Sequence, residues 1–313
     1  MIRPMSTTAA LWTLALAFVL AIAEPTPAHI DVDGSPFPIY ELTEAELVRI
    51  DVRDGSIEAW ESLFEPSLLP EHFYWDPDVG AGAQYDPDDL DFRIWLGWTR
   101  AELGKHIYVA VERIDDVYIN EYEGGAIGQI WQYDSIEFMI DGDHSGGQFG
   151  GWRADQHTEE ELRLLDNATA QYYIAIAESP DGIHFGYLGA GNGWVNRPPY
   201  GDAGGGAWGR DPNTSVIEMY LTPFDNCIWN DPEGSVVSTL EPGRIIGFSM
   251  NVSDFDTEPR AYRAFATLAG SGVSWRYASR FLDGILLAAD PDNSSPTAVQ
   301  TTTWADIKAS FAR

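Results

Sequence analysis

Apolar residues in this chain of 313 come in short runs that alternate with polar ones and stop at Gly, Pro, Asn or Asp. FRIWLGW at 92–98, HIYVAVERI at 106–114, QYYIAIAE at 171–178 and IIGFSMNV at 245–252 all have this form. Successive side chains of a strand point to opposite faces, so this alternation suits strands buried on one side. Helical spacing is confined to the margins. Thr43 and Glu46 stand at capping-box distance, and Trp304, Ile307 and Phe311 share one face of a tail helix at 303–313. Many short strands without alternating helices predict an all-β fold, an antiparallel β-sandwich of jelly-roll type with short peripheral helices. The division expected is a leader at 1–23, a lead-in with a short helix at 24–50, one sandwich at 51–290 and a C-terminal tail at 291–313. Residues 189–215, dense in Gly and Trp, read as a long loop.

The first residues have the form of an export signal. Arg3 supplies the positive end, Leu11–Ala23 the apolar core, and Ala21-Ile-Ala23 a small-residue cleavage site before Glu24. No later stretch is long and apolar enough to span a bilayer as a helix, so a secreted or periplasmic protein is expected. The whole chain has 18 Lys+Arg against 49 Asp+Glu. Only Arg3 is charged within 1–23, so cleavage leaves 17 basic and 49 acidic residues, a net charge of −32. Such a surface repels nucleic acid and anionic membranes. Cys227 is the single cysteine, so no intrachain disulfide forms, and it reads as a small buried hydrophobe.

The segment WQYDSIEFMIDGD, Trp131 to Asp143, reads as one strand followed by an acidic turn. Alternation places Ile136, Phe138 and Ile140 on the core face, and Trp131, Glu137 and Met139 on the other. An aromatic plate beside a carboxylate on an outer face suits a sugar: the ring covers the apolar sugar face and the carboxylate accepts from hydroxyls. The same alternation sets Tyr173 and Asn251 opposite the apolar residues of their own strands.

Several motifs then occur in order: Asp54-Gly55 with Trp60, IWLGW, HIYVAVERIDD, WQYDSIEFMIDGD, SVIEMYL, PGRIIGFSMNVSDFD, SWRYASRF and GILL. Over roughly 51–287 this set resembles the family 9 carbohydrate-binding modules found at the ends of bacterial xylanases. The resemblance implies a sandwich that holds a mono- or oligosaccharide, often a glycan reducing end, between two tryptophans, without catalysis. Trp131 and Trp275 fall on the two tryptophans, Glu137 on the acidic residue of the DSVE motif, and Asn251 on the polar residue of the IGFN-type strand. Tyr173 falls where the family has a sugar-contacting arginine, and Gly272 where it has an asparagine. The resemblance also implies structural Ca²⁺, for which Asp141 and Asp143 are the candidate ligands.

Catalysis has little support in the sequence. G-x-S-x-G, H-E-x-x-H and Cys/His metal spacings are all missing. Two other readings stay open: a sandwich that meets another protein, and a haem-binding electron-transfer domain using Met139 and His144.

Overall fold

The computed structural model describes residues 36–79, 84–178, 182–189, 192–208, 213–268 and 273–289. The leader at 1–23 and the tail helix at 303–313 lie outside the described residues. The strands are β1 (Phe37–Glu41), β2 (Tyr74–Trp75), β3 (Leu90–Trp98), β4 (Ile107–Asp115), β5 (Ile136–Asp141), β6 (Gln171–Ala177) and β7 (Ile183–Tyr187). They continue with β8 (Gly201–Trp208), β9 (Asn213–Leu221), β10 (Phe224–Asn226), β11 (Val236–Val237), β12 (Ile245–Phe255), β13 (Tyr262–Thr267) and β14 (Leu282–Leu287). Three short helices intervene: α1 (Glu44–Leu47), α2 (Glu58–Glu61) and α3 (Glu159–Ala168). α1 begins with the expected capping box, Thr43 N–H donating to Glu46 Oε2 at 2.8 Å.

One sheet runs β7-β6-β5-β12-β14-β1-β3-β4-β9-β8; β13 pairs with β12 and β2 with β13. The sheet curls until its ends meet. Ala207 of β8 donates its N–H to Glu178 O, just past β6, at 2.8 Å, and Gly182, just before β7, donates to Gly205 O at 2.9 Å. Side chains on the inside, Phe92, Val109, Phe138, Tyr173, Phe248 and Met250 among them, form one core between the two halves. This is the all-β sandwich that the strand spacing predicted.

Two departures have local causes. β1 lies inside the segment read as a lead-in, yet it joins the two antiparallel halves. It pairs in parallel with β14 (Ile39 opposite Leu286) and with β3 (Tyr40 opposite Gly97). FPIYE is short and carries Pro38, and proline argues against a central strand. β8 lies within the stretch read as a loop. Its sequence GDAGGGAW shows no alternation because the 52–53 turn rides directly over it: a Cβ on Gly204 would stand 2.4 Å from Arg53 Cα. Cys227 is buried as expected, and burial pushes its thiol up to about 12.

Candidate functional site

Within β5 the expected alternation holds. Ile136, Phe138 and Ile140 enter the core, while Glu137 and Met139 turn to the outer face. Glu137 stands opposite Ile174 of β6 and Asn251 of β12. Asn251 in turn stands opposite Thr267 of β13, and Thr267 opposite Tyr74 of β2. Cross-strand partners share a face, so these five residues form one outward row across five strands.

The centre of that row is a chain of hydrogen bonds. Asn251 Nδ2 donates to Glu137 Oε2 at 2.5 Å, and Ser274 Oγ donates to Asn251 Oδ1 at 3.3 Å. Tyr172, on the same face beside Met139, bonds to the Glu137 carboxylate through its hydroxyl. Although the row faces outward, Glu137 is 6 % exposed and Asn251 1 %. Two small clusters wall it in. Met139, Phe149, Ala170, Ala278 and Phe281 pack with Tyr172 on one side. Tyr122 and Ile130 pack with Ile174 and Ile176 on the other. Burial pushes the Glu137 carboxyl up, against the Asn251 and Tyr172 bonds that favour its charged form. Burial and the nearby Glu137 raise the Tyr172 hydroxyl well above its ordinary value. Ser249 and Thr267 also face this way, and their buried hydroxyls have no hydrogen-bond partner among the described residues.

Trp131 does not belong to β5. It sits in a 3₁₀ turn, Ile127–Gln132, that precedes the strand. Asp134 fixes this approach, accepting from the Phe255 N–H at 2.8 Å and from the Ile119 N–H. Arg113, buried among Asp115, Asp134 and Asp254, anchors Asp134 at 3.0 Å. Among the described tryptophans only Trp131 and Trp275 are exposed, at 39 % and 40 %. Trp275 adjoins the buried polar chain through Ser274, and Trp131 lies near it through Tyr262. The Trp131 carbonyl accepts from Tyr262 OH at 3.4 Å, and the Tyr262 hydroxyl is raised by burial and then by the charge of Glu137. Trp275 directly follows Ser274. Its ring rests on Gly151, where a Cβ would stand 2.9 Å from Trp275 Cζ3 and where φ is +62°. Only glycine fits that support without strain.

Tyr173 requires a correction. It pairs with Phe138, is fully buried in the central core and stacks on Phe185 at 6.0 Å between ring centroids. Tyr172 occupies the outer face instead. In QYYIAIAE both alternating sets contain apolar residues, Ile174 and Ile176 in one and Ala175 and Ala177 in the other. The loop at 118–133 covers the outer set, so hydrophobicity alone assigned the strand to the wrong face.

Asp141 and Asp143 shape the turn that follows β5. Asp141 accepts from the N–H of Ser145 at 3.2 Å and of Gly146 at 2.7 Å. Asp143 accepts from Ser145 N–H at 3.1 Å, and its pKa is raised by burial and by its hydrogen-bonding contact with Asp141. Two carboxylates in contact fit a hard cation in part, supplying two of the six or more oxygens that calcium takes. The turns also bring together acids that are distant in sequence: Asp89, Asp116 and Asp256 hold carboxylate oxygens within 4.8 Å of one another. Met139 is completely packed among aromatic rings, and His144 Nε2 bonds Asp283 Oδ1 at 2.8 Å. The Met139 packing leaves no space for a haem face.

No family model and no curated protein matches the chain. Solved structures similar to it include a family 9 carbohydrate-binding module from Caldicellulosiruptor kristjanssonii in complex with glucose, at 15% identity and TM-score 0.49, covering 82% of this chain and 100% of that one. The module from the same organism in complex with cellotriose matches at 14% identity and TM-score 0.49, covering 83% of this chain and 99% of that one.

Proposed function

We propose that this protein binds carbohydrate without transforming it, as an exported module serving polysaccharide recognition or catabolism. The observation that carries the reading is that the two exposed tryptophans flank one buried hydrogen-bonded chain, Glu137–Asn251–Ser274: Trp275 directly follows Ser274, and the Trp131 carbonyl accepts from Tyr262, whose hydroxyl feels the charge of Glu137. Trp131 and Trp275 supply stacking surfaces for the apolar faces of a sugar. Glu137, Asn251 and Tyr172 present acceptors and donors in fixed orientation, and the partnerless hydroxyls of Ser249 and Thr267 are ready for a ligand or for water. Glu137 has an amide and a phenol as hydrogen-bond partners. A chain terminus, such as a glycan reducing end, is the ligand we propose.

Calcium is the structural cofactor we propose, at the Asp141–Asp143 turn or at the three carboxylates Asp89, Asp116 and Asp256. The test of the main reading is calorimetric titration of the full chain with glucose and with a β-linked oligosaccharide. Saturable heats whose affinity falls about tenfold in each of Trp131→Ala and Trp275→Ala support it. A protein that takes up no sugar, or whose affinity ignores both rings, has kept the sandwich for another purpose, such as meeting a protein partner.

A further inference from the structure

Each exposed indole has an arginine beside it, and the Glu137–Asn251–Ser274 chain uses neither. The Arg260 guanidinium carbon lies 5.8 Å from the Trp131 ring centroid, and Arg260 Nε donates to Gln132 Oε1 at 2.6 Å. Its backbone is left-handed, with φ at +69°, and its N–H is held by Gln132 O at 3.0 Å. A side chain at such a position is disfavoured relative to glycine, so the arginine occupies it against local preference. An outlier of this kind beside an exposed ring points to a use for the side chain.

Arg276 stands next to Trp275 in the chain and in space. The Trp275 ring and Arg276 Cδ converge on Gly151, 2.9 and 3.0 Å from where its Cβ would be. The guanidinium carbon lies 5.3 Å from the Tyr277 ring, and Nε is buried with no hydrogen-bond partner among the described residues. Arg100, Arg153 and Arg263 pair with carboxylates, but neither Arg260 nor Arg276 has one within 4.0 Å among the described residues. In a chain with 49 acidic and 18 basic residues, each exposed ring thus has beside it a guanidinium that no carboxylate within 4.0 Å neutralises among the described residues.

We propose that the saccharide held between Trp131 and Trp275 carries a carboxylate, as a uronic acid does, and that Arg260 and Arg276 are its charge partners. This rests on the carbohydrate-binding reading above. A hexuronate keeps the ring face that stacks on an indole and replaces the terminal hydroxymethyl by a carboxylate. The planar guanidinium fork matches a carboxylate with two parallel N–H···O bonds. A neutral sugar leaves that match unused.

The experiment is calorimetric titration of the full chain with D-glucuronate and with D-glucose, in one buffer at neutral pH. Glucuronate is expected to bind about tenfold more tightly, the scale of one partly exposed charge-assisted hydrogen bond. The ratio should shrink as salt is added. In Arg260→Gln and Arg276→Gln it should move towards one. Glucose bound as well as or better than glucuronate overturns the acidic-sugar proposal and leaves sugar binding intact. Failure to bind either sugar overturns both. A ratio that neither substitution alters overturns the assignment to these arginines.

Discussion

Asn251 on β12 donates its side-chain amide to Glu137 on β5 at 2.5 Å, a bond buried under loops on the outer face of the sheet. It adds a side-chain tie to the backbone ladder and fixes the carboxylate of the proposed site. Asn251→Ala removes a donor from a buried acid, which typically costs about 1–3 kcal/mol. A lower denaturation midpoint and weaker sugar binding are expected together. Calorimetry and urea unfolding of the same variant measure both, and an unmoved midpoint would show that Glu137 has found another donor.

The exposed tryptophans should behave differently. Trp131 and Trp275 are 39 % and 40 % exposed, so truncation opens little core. Each indole is expected to contribute on the order of 1.5 kcal/mol of stacking, about tenfold in affinity. Trp131→Ala and Trp275→Ala should therefore lose that much binding while Tm stays near wild type. Large losses of Tm in either variant would assign the ring to packing.

Tyr172 and Tyr173 are adjacent and face opposite ways, which gives an internal control. Tyr172→Phe takes a hydrogen bond from Glu137 and should weaken sugar binding several-fold. The Tyr173 hydroxyl is buried with no partner among the described residues, so Tyr173→Phe should be neutral or slightly stabilising and leave affinity unchanged. Reversed effects in parallel titrations would put the strand the other way round.

Glu218 lies away from the proposed sugar site, accepting from Trp60 Nε1 at 2.8 Å and from Ser56 N–H at 3.2 Å. Burial raises its pKa from 4.5 to about 8. The folded chain therefore binds more protons than the unfolded one between those values, and stability falls as pH rises through that window. Burial acts in the same direction on Asp134 and Asp254, raised to about 7 and about 8. Glu218→Gln should flatten part of the decline between pH 5 and pH 8 and leave the variant more stable than wild type above pH 8. Urea midpoints measured across that range decide it; parallel curves for the two proteins would show that the carboxyl titrates normally.

If calcium pins one of the acidic turns, chelation should lower Tm and added calcium should restore it, as a ligand that binds only the folded state must. Asp89→Asn and Asp143→Asn would show which cluster responds. A melting curve indifferent to EDTA and to calcium removes the metal from the account.

Strand alternation in FRIWLGW, HIYVAVERI, SIEFMID and IIGFSMNV determined the all-β class, the core positions and the outward direction of Glu137 and Asn251, because a period of two is a property of the backbone itself. Composition likewise settled that Cys227 would be buried without a disulfide partner. The face of β6 was decided elsewhere: Tyr172 and Tyr173 are equivalent until the 118–133 loop packs on Ile174 and Ile176. The parallel place of β1, the strand hidden in GDAGGGAW, the meeting of Asp89 with Asp116 and Asp256, and the arginines beside the two rings depend on loops and ends brought together by the curl of the sheet. Contacts between residues far apart in sequence leave no periodic trace along the chain, so only the tertiary structure could assign them.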